Sequence, residues 1–222
     1  MEPDRAHDDP ARLDRAAVRA AGSGLTPEAL RALVAPRLTA RRMAHVESVA
    51  EAIGKVARAW TPDRRAAARR AAWLHDAWRN ATVEQSVAAI RSAGEEPDPW
   101  ALRHAPVLLH AQAAAAWAPT ATSEADPEVL LAVRHHPTGH PDWGAVGRAL
   151  YVADFCEPTR AFAAALHTDS LLERAASDAE SLAVVALEVL VLRLRRAIDE
   201  KRPIHPDSVR TWNAWVATPV GG

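Results

Sequence analysis

Apolar residues recur with a helical period along almost the whole chain, and no run of alternating β-branched residues predicts a strand. The segment after Thr39 is typical, because Val46, Val49, Ile53 and Val56 fall on one face of a helix. Capping residues, several of them followed by proline, predict where further helices begin. These starts are Thr26-Pro27, Thr61-Pro62, Thr82 with Gln85 in capping-box spacing, Asp98-Pro99, Asp126-Pro127 and Pro206. The pattern predicts an all-α protein.

The chain shows no internal repeat and no long linker, so we expect one domain over residues 26–217. Residues 1–25 are expected to form a variable, partly disordered extension with a short helix that ends at Gly22. The longest apolar region, residues 181–198, is interrupted by Glu188 and Arg193, which predicts a buried amphipathic helix rather than a membrane span.

The charge balance narrows the functional classes. A net charge of -1 argues against a nucleic-acid-binding or membrane-surface role, where a basic excess is expected. The single cysteine, Cys156, excludes an internal disulfide, and no segment at the start resembles a signal peptide. We therefore expect a cytoplasmic location.

Histidine and aspartate residues stand at helical, largely apolar positions in five places. A core contact or a helix cap explains each of them alone, but a buried polar group without a partner costs about 1–3 kcal/mol. A divalent iron, manganese or zinc ion would satisfy them together. The candidates are His45, His75-Asp76, His110, His135-His136 and Asp154. The remaining histidines, His104, His140, His167 and His205, are expected to be exposed, and the pair His7-Asp8 is set aside because its surroundings are polar.

Several stretches extend this pattern into a family resemblance. They are RRMAH (41–45), APVLLHAQAAAA (105–116), VRHHPTGH (133–140), LYVADFCEPTR (150–160) and RPIHPDSVRTWN (202–213). With the order of the histidines and aspartates, they resemble the HD-domain metal-dependent phosphohydrolases, and within these the YqeK-like symmetrical diadenosine tetraphosphatases. The resemblance implies a single HD-domain helical bundle with a metal site in its core.

The resemblance also implies roles for individual residues. His45, His75, Asp76 and Asp154 look like the ligands of one metal, and His110 and His136 like those of a second metal that shares Asp76. His135 is expected beside the ligands. Asp76 and Arg79 would be catalytic, and the substrate would contact Arg79, Thr138, Gly139, His140 and Arg160. Two positions depart from the family, which usually has lysine where Arg79 stands and arginine where His140 stands.

The implied cofactor is a pair of divalent ions, iron first, with manganese or cobalt as substitutes. The implied reaction converts diadenosine tetraphosphate and water into two ADP through a hydroxide that bridges the metals. The expected partner is a nucleotide substrate, with neither nucleic acid nor membrane, and a homodimer is compatible with the resemblance. Two alternatives stay open: another HD-family nucleotidase or (deoxy)nucleoside triphosphatase, and a nucleotide-binding module with little turnover.

Overall fold

The structure is a computed structural model that describes residues 25–160, 162–163 and 166–217. Regular secondary structure within these ranges is entirely helical, which confirms the predicted all-α fold class. The predicted N-terminal extension lies outside them except for Leu25, as does the helix that was expected to end at Gly22. The described helices are α1 (Pro27–Val34), α2 (Ala40–Val56), α3 (Pro62–Leu74), α4 (Val83–Ser92), α5 (Pro99–His104), α6 (Leu109–Thr122), α7 (Pro127–His135), α8 (Ala145–Cys156), α9 (Thr168–Ala175), α10 (Ala179–Asp199) and α11 (Pro206–Ala217). Short 3-10 turns at Ala35–Arg37 and Pro106–Leu108 precede α2 and α6.

The predicted capping residues stand at the starts of these helices, and all but one of them make the capping hydrogen bond. At five starts the capping side chain accepts a hydrogen bond from a backbone N–H of the first turn: Thr26, Thr39, Thr82, Asp98 and Asp126. Thr82 and Gln85 form the reciprocal bonds of a capping box. Thr61 takes the N-cap position of α3 but its side chain makes no such bond. Pro62, whose fixed φ suits the first helical position, contributes to that start.

Helix α8 is the centre of the bundle. It packs against α2, α3, α7, α9 and α10, and its residues from Val146 to Cys156 are buried apart from Arg148. A helix that is apolar on every side is stable only when other elements surround it. The neighbouring helices that bury Leu150 and Tyr151 of α8 therefore also bury Asp154.

Helix α10 buries one face, including Leu182, Val185 and Leu190, as its amphipathic pattern predicted. Among the described residues, no helix combines the length and the apolar character that a membrane crossing requires. A smaller apolar cluster of Ile90, Ala101, Leu109 and Ala113 joins α4, α5 and α6. The prediction of one domain over residues 26–217 remains a prediction.

The expected exposure of His205 is wrong. Its side chain is buried against the edge of the Trp100 ring, at 4.8 Å between ring centroids, and its Nε2 lies 3.4 Å from Asp98. Proline and charged neighbours along the chain suggested solvent, but the contacts come from α5, about a hundred positions earlier. His104 and His167 are exposed as expected, and His140 is half-buried.

Candidate metal centre and its cavity

Six of the predicted side chains meet in the core, each brought there by a helix or a helix end. His45 lies on α2 and Asp154 on α8, whereas His75 directly follows α3 and Asp76 comes next. His110 lies in the first turn of α6, and His136 directly follows α7. The side chains of all six are buried.

Backbone carbonyls fix the orientation of three imidazoles. The Nδ1 of His75 donates to the carbonyl of Ala72 at 2.7 Å, and the Nδ1 of His136 donates to the carbonyl of Val133 at 2.9 Å. These carbonyls lie in the last turn of their helices and lack an intrahelical partner. His110 repeats the arrangement with the carbonyl of Val107 at 2.5 Å. Because a carbonyl can only accept, each Nδ1 carries the proton and each Nε2 presents a lone pair to the centre.

His45 is held differently, by a carboxylate. Its Nδ1 donates to Glu157 Oε1 at 3.0 Å, and Glu157 is only 1% exposed. The same carboxylate accepts bonds from the backbone N–H of Thr159 at 2.8 Å and from its hydroxyl. Sequence reasoning missed Glu157, although it stands in the stretch LYVADFCEPTR. Its contact with His45 depends on a partner 112 positions away along the chain. The only local signal was that Glu157 is an acidic residue directly after a predicted helix.

The carboxylate of Asp76 lies between two pairs of imidazoles. Its Oδ2 is 3.5 Å from His45 Nε2 and 3.7 Å from His75 Nε2. Its Oδ1 is 3.1 Å from His110 Nε2 and 3.6 Å from His136 Nε2. Asp154 Oδ1 completes the first group at 3.2 Å from His45 Nε2. The two oxygens of one carboxylate thus face two separate sets of nitrogen donors.

The donor set and its spacing fit divalent metal ions. Ligand bonds of roughly 2.0–2.2 Å place neighbouring ligand atoms about 2.8–3.6 Å apart in tetrahedral and octahedral sites. The distances in the preceding paragraph fall in or close to this range, and His110 Nε2 and His136 Nε2 are 3.3 Å apart. There are two overlapping buried triads, His45–His75–Asp154 and His75–Asp76–His136, and within each triad the ligand atoms lie within 4.8 Å of one another.

The electrostatics of the pocket keep His75, His110 and Asp76 in the protonation states that ligation needs. Burial lowers the pKa of His75 to about 3 and also lowers the pKa of His110, so both stay neutral. Asp76 keeps its negative charge because Arg42 donates to its Oδ2 at 2.9 Å. For His45, burial lowers the pKa, but Asp154 and Glu157 together raise it to about 9. A metal bound to its Nε2 takes the place of the proton there.

The centre opens into a cavity of about 700 Å³. Asp76, His110, His136 and Asp154 line it, whereas His45 and His75 lie behind them. Guanidinium groups form much of the remaining wall: Arg42, Arg79, Arg160, Arg193, Arg196 and Arg202. Apolar side chains complete it: Tyr151, Phe155, Phe162, Leu190, Leu194 and Ile204. A cavity with both linings suits an anionic ligand that also has an apolar part.

Four of these arginines lie close to the centre. Arg160 donates to Asp154 Oδ1 at 2.5 Å, and Arg193 donates to Asp154 Oδ2 at 2.7 Å. Arg42 donates to Asp76 Oδ2 at 2.9 Å. The side chain of Arg79 makes no salt bridge within the described residues, although it lines the cavity. Arg42 and Arg193 were missed from sequence. Arg42 could have been recognised because it belongs to the stretch RRMAH, and Arg193 because it is a cation within an apolar helix face.

The turn after α7 brings one of its three predicted substrate-binding residues to the cavity. Thr138 lines the cavity. Gly139 lies behind it with φ at 82°, and a Cβ added there would meet Thr211 Cγ2 at 3.0 Å, so the backbone itself requires glycine. His140 packs on His135 at 4.6 Å between ring centroids and does not line the cavity. The Nδ1 of His135 lies 3.4 Å from Asp207 Oδ2. The substrate roles of Gly139 and His140 stay predictions.

The fold is similar to that of a solved hydrolase. A crystal structure described as a predicted HD superfamily hydrolase involved in NAD metabolism, from Clostridium acetobutylicum, superposes with a TM-score of 0.75. The sequences are 23% identical, and the match covers 87% of this chain and 98% of the other. The prediction of an HD-type helical fold is confirmed.

Two curated proteins are similar in sequence, and both are named symmetrical bis(5'-nucleosyl)-tetraphosphatase. The one from Halalkalibacterium halodurans is 28% identical over 82% of this chain and 92% of its own length. The one from Bacillus subtilis is 28% identical over 84% of this chain and 95% of its own length. No protein-family model matches the chain. The predicted resemblance to this group and the predicted class of enzyme, a hydrolase, are confirmed.

Proposed function

We propose that the chain is a metal-dependent hydrolase that cuts dinucleoside polyphosphates symmetrically, turning diadenosine tetraphosphate and water into two ADP. The observation that carries the proposal is the carboxylate of Asp76, whose two oxygens face two separate sets of imidazole nitrogens. Two-metal hydrolases of phosphate compounds use paired sites of this kind. The names of the two curated relatives support the choice of substrate.

In this proposal His45, His75, Asp76 and Asp154 hold one ion, and His110, His136 and Asp76 hold a second. Four imidazoles with two carboxylates suit iron, with manganese or cobalt as substitutes. When bound, the ions supply a water of lowered pKa and offset negative charge on the phosphate. The protein's part is to keep the donors rigid, through the bonds from each Nδ1 and through burial.

The arginines bind and orient the polyphosphate. Arg79 is free of protein salt bridges within the described residues, so its whole guanidinium is available to phosphate oxygens in the forked geometry that arginine provides. Arg160 uses Nε and Nη2 on Asp154, and its Nη1, which makes no hydrogen bond within the described residues, contacts the substrate. Because arginine does not release a proton near neutral pH, both residues act as fixed positive charges rather than as acids.

The test compares two identical dipeptides in one chain. We expect the double variant His75→Ala/Asp76→Ala to lose ADP release from diadenosine tetraphosphate by at least about 1000-fold, since it removes one ligand of the first ion and the carboxylate that both ions share. The control His7→Ala/Asp8→Ala removes the same side chains elsewhere and should keep the parent rate. Chromatography of the nucleotides gives the readout, and unchanged ADP release from the first variant would reject the proposal.

Initial rates on a panel of nucleotides separate the alternatives. The proposal predicts that the dinucleoside tetraphosphate has the highest kcat/KM and that ADP is its sole nucleotide product. Faster turnover of a mononucleotide would favour another nucleotidase or triphosphatase. Tight nucleotide binding with no product, on protein loaded with both ions, would favour a binding module.

A further inference from the structure

We propose that Arg196 and Arg202, joined by Glu200, form a second anion subsite that takes the distal half of a dinucleoside polyphosphate. The inference rests on the proposed function and names the part of the cavity that would distinguish a dinucleotide from a mononucleotide. All three residues line the cavity that contains Asp76 and Asp154. None of them contacts the candidate metal ligands directly, so their place in the wall needs another explanation.

Glu200 holds the two guanidinium groups in a fork. Its Oε1 is 2.6 Å from Arg196 Nε, and its Oε2 is 2.6 Å from Arg202 Nε. Each arginine therefore uses its Nε on the protein, and no other hydrogen bond occupies their terminal nitrogens within the described residues. Two arginines and one glutamate leave one net positive charge, and the terminal nitrogens keep N–H groups for a ligand. This arrangement suits phosphate oxygens, which accept paired N–H bonds.

The end of α10 places Arg202 beside the helix that carries Arg196. Lys201 adopts the left-handed conformation with φ at 51°. Its N–H bonds the carbonyl of Ile198 at 3.0 Å, and the N–H of Arg202 bonds the carbonyl of Ala197 at 2.8 Å. These two bonds define a Schellman motif, which turns the chain back across the helix end. The motif usually has glycine at the left-handed position, so this chain keeps the turn at some cost in backbone energy.

Helix α10 also sets the distance between the centre and the fork. Arg193, on the same helix, donates to Asp154 and marks the end near the metal ligands. Glu200 lies seven positions further, which corresponds to about 10 Å along a helix that rises about 1.5 Å per residue. A chain of bridged phosphates spans this distance, whereas a single phosphate at Asp76 does not.

An aromatic contact orients the nearer arginine. The guanidinium of Arg196 lies over the Phe162 ring at 4.9 Å, and Phe162 stacks on Phe155 at 4.9 Å between centroids. Both rings line the cavity. A guanidinium held between a ring and a carboxylate loses little freedom when it binds an anion, and the rings offer an apolar surface to a nucleoside.

Binding to the metal-loaded protein tests the subsite with two probes, ADP and a diadenosine tetraphosphate analogue with a methylene group between the central phosphates. We expect Arg196→Gln/Arg202→Gln to weaken the Kd of the analogue by at least about 10-fold, as the loss of charge-assisted bonds predicts. The Kd of ADP should change by less than about 3-fold, because ADP is held at the metal centre. Titration calorimetry measures both values.

Arg195→Gln is the matched control, since Arg195 is exposed on the same turn of α10 and does not line the cavity. It should leave both affinities unchanged. An equal loss for ADP and the analogue, or no loss for either, in the double variant would overturn the subsite. A failure of the proposed function would appear separately, as absence of ADP release by the unaltered protein.

Discussion

At the scale of single residues, the four imidazoles of the centre share a chemistry but differ in what orients them. His75, His110 and His136 donate to backbone carbonyls, whereas His45 donates to the carboxylate of Glu157. A carboxylate partner makes an imidazole a stronger donor to a metal. Glu157 also contacts Arg160 at 3.4 Å, so it joins one candidate ligand to one candidate phosphate-binding side chain. It is a positioning residue rather than a catalytic one.

We predict that Glu157→Ala weakens metal binding by roughly 10-fold or more, the range found for such supporting partners. Glu157→Gln keeps an acceptor for the His45 N–H and should lose clearly less. Competition with a chelator measures both affinities, and Glu173→Gln, at an exposed position, is the control. If the alanine variant binds metal as tightly as the parent, Glu157 does not position His45.

Buried partners at this scale were the least predictable part of the site. The six candidate ligands were identified from helical context and from a family order, because each is a polar residue at an apolar position. Glu157 and Arg193 were missed because the group that each contacts lies 112 and 39 positions away. His205 was assigned to solvent for the same reason, since Trp100 and Asp98 bury it from another helix.

At the scale of helices, the helix ends position candidate ligands just as the helix faces do. His75 and His136 take the C-cap positions of α3 and α7, where unpaired carbonyls are available to their ring N–H groups. The helix starts were predictable, since capping depends on residues within one turn. The starts at Thr26, Thr39, Thr82, Asp98 and Asp126 have the expected side-chain bond, and Thr61 has the position without the bond.

Thr61 and Thr82 both take N-cap positions, but only Thr82 makes the capping hydrogen bond, so the two allow the energy of that bond to be measured. We predict that Thr82→Ala lowers the free energy of unfolding by about 1 kcal/mol, because it removes the bond to the Gln85 N–H and breaks the capping box. Thr61→Ala, at an exposed N-cap with no side-chain bond, should change it by less than about 0.5 kcal/mol. Urea unfolding compares the two, and equal losses would contradict the assignment of the cap bond.

At the scale of the whole molecule, a chain with a net charge of -1 brings six arginines to one cavity. Six arginines line it against three acidic residues, Asp76, Asp154 and Glu200. The nearly neutral total gave no hint of this, because the arginines come from α2, α10 and several connections that only the fold brings together. The cavity thus has room and charge for a polyanion, with the proposed metal positions at one end.

Anomalous scattering from crystals of protein purified without oxygen, with ADP release confirmed on the same sample, tests this account most directly. The account predicts two metal peaks, one on each side of the Asp76 carboxylate. The first peak should lie within bonding distance of His45, His75 and Asp154, and the second within bonding distance of His110 and His136. A single peak in protein that releases ADP, or two peaks that do not share Asp76, would contradict it.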